Sequence, residues 1–414
     1  MTLWNNWPTS RAAPIGCSRD DPMTALRVLF VIENLGVGGA EQALVNISPA
    51  LQARGYRCGV AALWPPYTVA EALERRGIDV FRLDMSHRWN FMQSIPRLLR
   101  VAKEHRYDIL HGHLFFGGMH VAATRPFLPS ARRAVTFHNL GYASYPVNNL
   151  WRRVRRVLDR LAMTYGIDAH IAVSTPVADH YRDQLGLAEV AVIPNGFEIE
   201  PLPNDRVALR QKFFGHLRRP AASLALAAGR LIEEKDHFNL IEAVELLRKR
   251  GRDVLVTIVG NGPLRNKIDD EIRRRSLEDH IQMRPVIPHD ELMQMMQAVD
   301  FFVLPSTFEG FPMVPAEAMI AERAVVATRA GGVVELIEDG ISGILVPTRD
   351  ARAFADAMEL VMLNPALRER LGTAARERVR QFSADRIAER LDAFYAEMVR
   401  SASAHVPQAA HESL

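Results

Sequence analysis

The chain has only two cysteines in 414 residues, Cys17 and Cys58, too few for a disulfide framework. No Cys/His grouping has zinc spacing, and both absences suit a reducing cytosol. No run of 18 or more apolar residues occurs, so no spanning helix is expected. The first 22 residues scatter Trp, Pro, Arg and Asp without an apolar stretch of their own, which does not fit a signal peptide. They read as a disordered extension ahead of Met23. Internal repeats and low-complexity tracts are missing too, which argues against a solenoid or a linker-rich chain.

What is present is an ordinary globular composition, 48% apolar and 24% charged, at a length that predicts two domains. The net charge of +3 is unevenly spread. Residues 23–200 hold 20 Lys+Arg against 15 Asp+Glu, whereas 201–414 hold 29 against 31. An anionic partner is expected to meet the first half, and nucleic acid is not among the expected partners.

Short buried runs alternate with helical stretches almost from end to end. "RVLFVI" leads through "ENLGVGG" into "AEQALVNISPALQARG", and "CGVAAL", "DVFRL", "DILHGH", "RAVTFH" and "AHIAVS" follow with helices between. After a Pro- and charge-marked connection at about 200–222 the pattern restarts with "LALAAGR", "LVTIVG", "DFFVLP" and "AVVAT". The alternation predicts an α/β fold of two facing Rossmann-like domains, 23–200 and 201–385, with a cleft between them. A helix over 386–400 is expected to pack back on the first domain, with 401–414 a disordered tail.

The glycine loop "GVGGAE" opens the first helix, a setting in which main-chain N–H groups can approach phosphate. A nicotinamide-binding domain would need an acidic residue about 20 positions on. None lies between Glu41 and Glu71, which weakens the dehydrogenase reading. His138 ends an apolar strand, where a cleft residue projects, and His111, His113 and His120 lie near the previous strand end. Arg230 and Lys235 in "GRLIEEKD" follow a strand and could converge on an anion. In "FVLPSTFEGFPMVPAEAM" the prolines mark a loop and a helix start near Val314 or Pro315. Glu309 then lies in the loop and Glu317 in the first helical turn, flanking free N–H groups. A sugar nucleotide offers the matching phosphates and hydroxyls.

Taken in order, "GGAE", "TFH", "VIPNGF", "GRLIEEKD", "VGNGPLR", "EGFPMVPAEAM" and "AGGVVELIEDGISGILV" resemble the retaining glycosyltransferases of family 4, which have the GT-B fold. The resemblance runs from about residue 27 to 400. It implies transfer from a UDP- or GDP-sugar co-substrate with no other cofactor and no metal, in agreement with the lack of any Asp-x-Asp triplet. It implies that Glu309 contacts the donor sugar, Glu317 the ribose, Arg230 and Lys235 the diphosphate, Gly38 and Gly39 the phosphates, and His138 the sugar and acceptor. Phe311, Met313, Val314 and Val286 are implied as further nucleotide contacts. Three positions where family members usually carry glycine hold Pro285, Pro312 and Glu322 instead.

The resemblance implies a cytoplasmic enzyme of cell-surface polysaccharide or glycolipid synthesis, with a saccharide or lipid-linked acceptor. A nucleotide-sugar epimerase and a non-catalytic nucleotide-sugar-binding homologue are the alternatives. In "WRRVRRVLDRLAMTYG" the spacing of Trp151, Val154, Leu158 and Leu161 predicts a helix whose apolar face enters the core. The rival reading of its arginines is peripheral contact with an anionic membrane.

Overall fold

The computed structural model describes residues 26–87, 90–142, 150–201, 205–215 and 223–403. The expected extension at 1–22 and residues 404–414 of the expected tail lie outside these. Among the described residues, thirteen parallel strands form two sheets. The first takes β1 (Arg27–Ile32), β2 (Arg57–Ala62), β3 (Asp79–Arg82), β4 (Ile109–His113), β5 (Arg132–Phe137), β6 (Ala169–Ala172) and β7 (Ala191–Val192), in the order β3-β2-β1-β4-β5-β6-β7. The second takes β8 (Ser223–Ala228), β9 (Val254–Val259), β10 (Ile281–Arg284), β11 (Phe301–Leu304), β12 (Ala324–Thr328) and β13 (Ile344–Val346), in the order β10-β9-β8-β11-β12-β13. The central strands are apolar on both faces because helices cover both, as in any parallel sheet. The expected pair of Rossmann-like domains is therefore present.

β7, β10 and β13 have no counterpart in the sequence reading. β7 and β13 have only two and three residues, and the four of β10, IQMR, are half polar, so no apolar run stands out. The connection at 200–222 is also more than a linker. It contains the helix Arg206–Phe214, started by an Asp205 carboxylate that accepts from the Ala208 N–H, and it buries Phe213 and Phe214.

Two crossings join the domains, and they lie side by side. Phe197 N–H donates to the Phe382 carbonyl at 2.9 Å, and Ala384 N–H donates back to Phe197 at 2.8 Å. From there the helix Ala384–Ser403 packs on Gly39–Ala53 of the first domain, with Tyr56 donating to Asp392. It continues through Ser403, three residues into the segment read as a tail. Glu322, one of the positions where glycine is usual in family 4, has φ +59, the left-handed region that disfavours a side chain.

Candidate active site

Each sheet reverses its strand order beside its first strand, between β1 and β4 and between β8 and β11. Ligands of open α/β sheets settle at such points, beyond the carboxyl ends of the strands. The glycine loop follows β1, His113 ends β4, His138 follows β5, Arg230 lies just beyond β8, and Glu309 lies beyond β11. Both switch points open on one cleft.

Glu309 is buried there. Its Oε1 accepts from Lys235 Nζ at 2.5 Å and from Ser306 Oγ at 2.6 Å. The loops carrying the two charges are tied together, because Thr307 N–H donates to the Glu234 carbonyl at 2.8 Å. Glu233–Lys235 make a single 3-10 turn, after which Asp236, with φ +41, starts the helix His237–Lys249. Lys235 is thereby aimed at the carboxylate across 74 residues of sequence. Arg230 is exposed, and its charge acts on Glu41, opposing the upward shift that burial imposes on that carboxyl. The Glu41 carboxylate folds back to within 2.4 Å of where a Cβ on Gly38 would stand. A side chain at position 38 would require the Glu41 carboxylate to swing away from the helix start.

On the opposite wall, His138 Nε2 is 2.9 Å from His113 Nδ1, so one ring donates and the other accepts. Burial lowers His138 to about 3, and it also holds His113 well below the usual imidazole range. Both rings are neutral near pH 7 and act as hydrogen-bonding groups without charge. Behind them, His111 Nδ1 meets the Tyr395 hydroxyl at 2.5 Å and its Nε2 meets Thr136 Oγ1 at 2.7 Å. Tyr395 belongs to the C-terminal helix, which therefore supports the histidine wall. His113 and His138 line a cavity of about 30 Å³ with Thr136 and Asn195, room for about one water. His120 lies apart, buried against Phe91 with its Nδ1 on the Phe116 carbonyl.

The two walls touch through glycine. A Cβ on Gly310 would stand 1.9 Å from the His138 carbonyl oxygen, and one on Gly332 would stand 2.0 Å from the Gly310 carbonyl of its own domain and 3.1 Å from the Ser174 Cβ of the first. A Cβ on Gly39 would meet Met313 Cγ at 3.1 Å, so the glycine loop abuts the first residue of the helix Met313–Ile320. Glu335 adds a crossing bond, its Oε1 accepting from the Thr175 N–H at 2.7 Å, at the start of the helix Thr175–Leu185. A carboxylate is favoured at that position by the helix dipole.

The helix Met313–Ile320 begins one or two residues earlier than the sequence suggests, with Pro312 as its N-cap and Pro315 third in the helix. Glu317 is consequently its fifth residue, beyond the first turn. It is buried and pairs with His289 Nε2 at 3.2 Å. That contact raises His289 above the ordinary imidazole value. Of the other expected nucleotide contacts, Val286 is exposed just past β10, Val314 is half-buried, and Met313 is buried against the glycine loop. The Phe311 ring packs between Phe197 and Phe382, inside the core. Ser306, His289 and Glu335 escaped the sequence reading. Nothing in a serine, a histidine or a glutamate alone marks its partner in a distant loop.

The arrangement suits an anionic, polyhydroxylated ligand: an exposed guanidinium, an ammonium held by a carboxylate, a helix N-terminus and two neutral imidazoles. Comparison with known proteins agrees. Residues 37–201 match the family model "Glycosyltransferase Family 4", and residues 210–378 match "Glycosyl transferases group 1". The chain is 30% identical over 299 residues to an alpha-D-kanosaminyltransferase of Streptomyces kanamyceticus, covering 68% of this chain and 76% of that one. It is 29% identical over 306 residues to a D-inositol 3-phosphate glycosyltransferase of Saccharomonospora viridis, covering 70% of each. Among solved structures, Anabaena Alr3699/HepE in complex with UDP-glucose superposes with TM-score 0.77 at 22% identity, over 90% of this chain and all of that one. Sucrose-phosphate synthase from Thermosynechococcus elongatus gives 0.73 at 20%, over 91% of this chain and all of that one. These likenesses identify the two-domain fold as GT-B.

Proposed function

Because the chain belongs to the group 1 and family 4 glycosyltransferases, we propose that it moves a sugar from a UDP- or GDP-sugar to a saccharide or lipid-linked saccharide, retaining the anomeric configuration and needing no metal. The setting proposed is cytoplasmic synthesis of a cell-surface polysaccharide or glycolipid, in peripheral contact with an anionic membrane. The observation that carries the reading is the Lys235–Ser306–Glu309 cluster, one residue from the glycine that touches His138. A solved neighbour described in complex with UDP-glucose supports the donor class.

In this reading the diphosphate lies against Arg230, Lys235 and the N-terminus of Met313–Ile320, beside the glycine loop. Lys235 is then shared between Glu309 and the phosphate. Glu309 accepts hydrogen bonds from the sugar hydroxyls, and Glu317 does so from the ribose. Negative charge grows on the departing phosphate as the glycosidic bond breaks, and the two cations favour that state over the ground state. The departing phosphate oxygen receives the acceptor's proton, so no side chain is assigned as general base. Neutral His138 orients the sugar or acceptor.

The test is turnover with a panel of nucleotide sugars, reading the product's anomeric configuration by NMR. Retention is expected, whereas an inverted product, or epimerised donor without transfer, overturns the reading. Because the basic pair neutralises the diphosphate, EDTA should change the rate less than two-fold. Activity lost to chelator and restored by magnesium or manganese would mean that the phosphates are neutralised by another route. Glu317→Ala should weaken UDP or GDP binding about ten-fold in calorimetry, the loss of one strong charge-assisted hydrogen bond. Unchanged affinity would remove Glu317 from the ribose site.

A further inference from the structure

The helix Leu150–Gly166 is oriented opposite to the sequence expectation. Its buried side is Asp159, Met163 and Gly166, with Gly166 so close to Ala122 that a Cβ would stand 2.6 Å from the Ala122 Cβ. Val154, Val157, Leu158, Leu161 and Tyr165 point to solvent, each 43% to 73% exposed. Their spacing of i, i+3, i+4, i+7 and i+11 makes one continuous stripe on the outer face. At 100° per residue, Arg153 and Arg160 flank the stripe on one side and Arg155 on the other. The only acid between 153 and 165, Asp159, is turned inward, where it accepts from the Tyr142 hydroxyl at 2.9 Å and pairs with Arg155 at 3.6 Å. Scattered exposed hydrophobics are ordinary, but a five-residue apolar stripe rimmed by arginine is not.

We propose that this outer face inserts into the headgroup layer of an anionic membrane, which presents a lipid-linked acceptor to the cleft. The proposal rests on the transferase reading only for the acceptor. The charge pattern selects the occupant. A second copy packed face to face would bring two arginine rims together, whereas anionic headgroups complement them. The position of the helix fits the role. Arg155 stacks on Phe115, two residues beyond His113, and Arg156 stacks on Tyr142, four beyond His138. The first turns of the helix therefore border the rim of the cleft that the histidines line. An inserted apolar stripe also adds an attraction that salt does not screen, unlike the arginine contacts.

The test is sedimentation of the full chain with phosphatidylglycerol/phosphatidylcholine vesicles and with pure phosphatidylcholine, at 50 and 500 mM NaCl. Wild type should bind the anionic vesicles, and binding should weaken at high salt while staying measurable. Arg153→Gln with Arg160→Gln should lower partitioning at low salt by about 25-fold, roughly five-fold per arginine. Leu158→Gln with Leu161→Gln should remove the salt-resistant part, with an unchanged melting temperature because both side chains are exposed. An environment-sensitive dye on Leu161→Cys, in a Cys17→Ser background, should report water without lipid and an apolar surrounding with it. Absence of wild-type binding at low salt overturns the proposal, as does full binding by the leucine double variant. A dye already shielded without lipid, or a dimer in sedimentation velocity that the leucine variant dissolves, would assign the face to another segment or a second copy. UDP and GDP calorimetry on the same proteins keeps the two readings apart. Loss of nucleotide binding in wild type would count against the transferase reading, while vesicle binding would still support the surface.

Discussion

Glu309→Gln should lower sugar transfer by about 10³-fold while leaving the affinity for UDP or GDP close to wild type. The amide keeps the shape of the carboxylate and can still accept from Ser306, so the loop has no steric reason to move. What disappears is the negative charge opposite Lys235 and the strong acceptor offered to the sugar. Contacts that strengthen as charge separates in the transition state cost about 10²- to 10³-fold when removed. Nucleotide affinity escapes because the diphosphate itself provides Lys235 with a counter-charge. The same logic gives a stability signature. Without ligand, the variant leaves a largely buried ammonium lacking its 2.5 Å partner and should melt several degrees lower. With equal affinity, saturating UDP or GDP should raise both melting temperatures alike and leave that gap in place. Radiolabelled transfer and thermal melts with and without nucleotide read both effects. Transfer near the wild-type rate would remove Glu309 from the mechanism.

The sequence was legible where the physics is local. Long apolar strands such as Arg27–Ile32 and Ala324–Thr328 were bounded to the residue, because a buried parallel strand must be apolar throughout. The proline-marked loop around Glu309 was placed correctly for a similar reason, since proline fixes where a helix can start. The misses came where local pattern and tertiary context disagree. The arginine-rich helix has a periodic apolar face, and periodicity alone assigns such a face to the core. In the fold, Asp159 and Met163 face inward instead, because Asp159 finds the Tyr142 hydroxyl and small Gly166 lets the helix approach Ala122. Pairings over long separations, such as Lys235 with Glu309 and Glu335 with the Thr175 N–H, have no signature in either segment. Neither does the shape of the cleft, which depends on Gly310 to let main chains from the two domains meet.

That meeting point carries the second large effect. Gly310→Ala should reduce transfer by about 10²-fold with little change in nucleotide affinity and a small change in melting temperature. The added Cβ would stand 1.9 Å from the His138 carbonyl oxygen, and a main-chain atom at a strand end cannot swing away as a flexible side chain can. Relief requires the walls of the cleft to separate by about 1 Å, and misplacement of that size can cost about 10²-fold. Lys235, Glu309 and Glu317 all belong to the second domain, so nucleotide binding keeps its contacts while His138 recedes from the sugar. Each domain also keeps its own core, which limits the loss of stability. Gly39→Ala provides the comparison. Its Cβ would meet only the side-chain Cγ of Met313 at 3.1 Å, a contact that the thioether chain can relieve by rotation. Its effect on transfer should therefore be clearly smaller than that of Gly310→Ala. Steady-state kinetics together with UDP and GDP calorimetry on both variants decide the matter. Wild-type transfer by Gly310→Ala would mean that the close approach of the two walls is not needed for the reaction. A parallel loss of nucleotide affinity would place the damage in the donor loop and not in the contact between the domains.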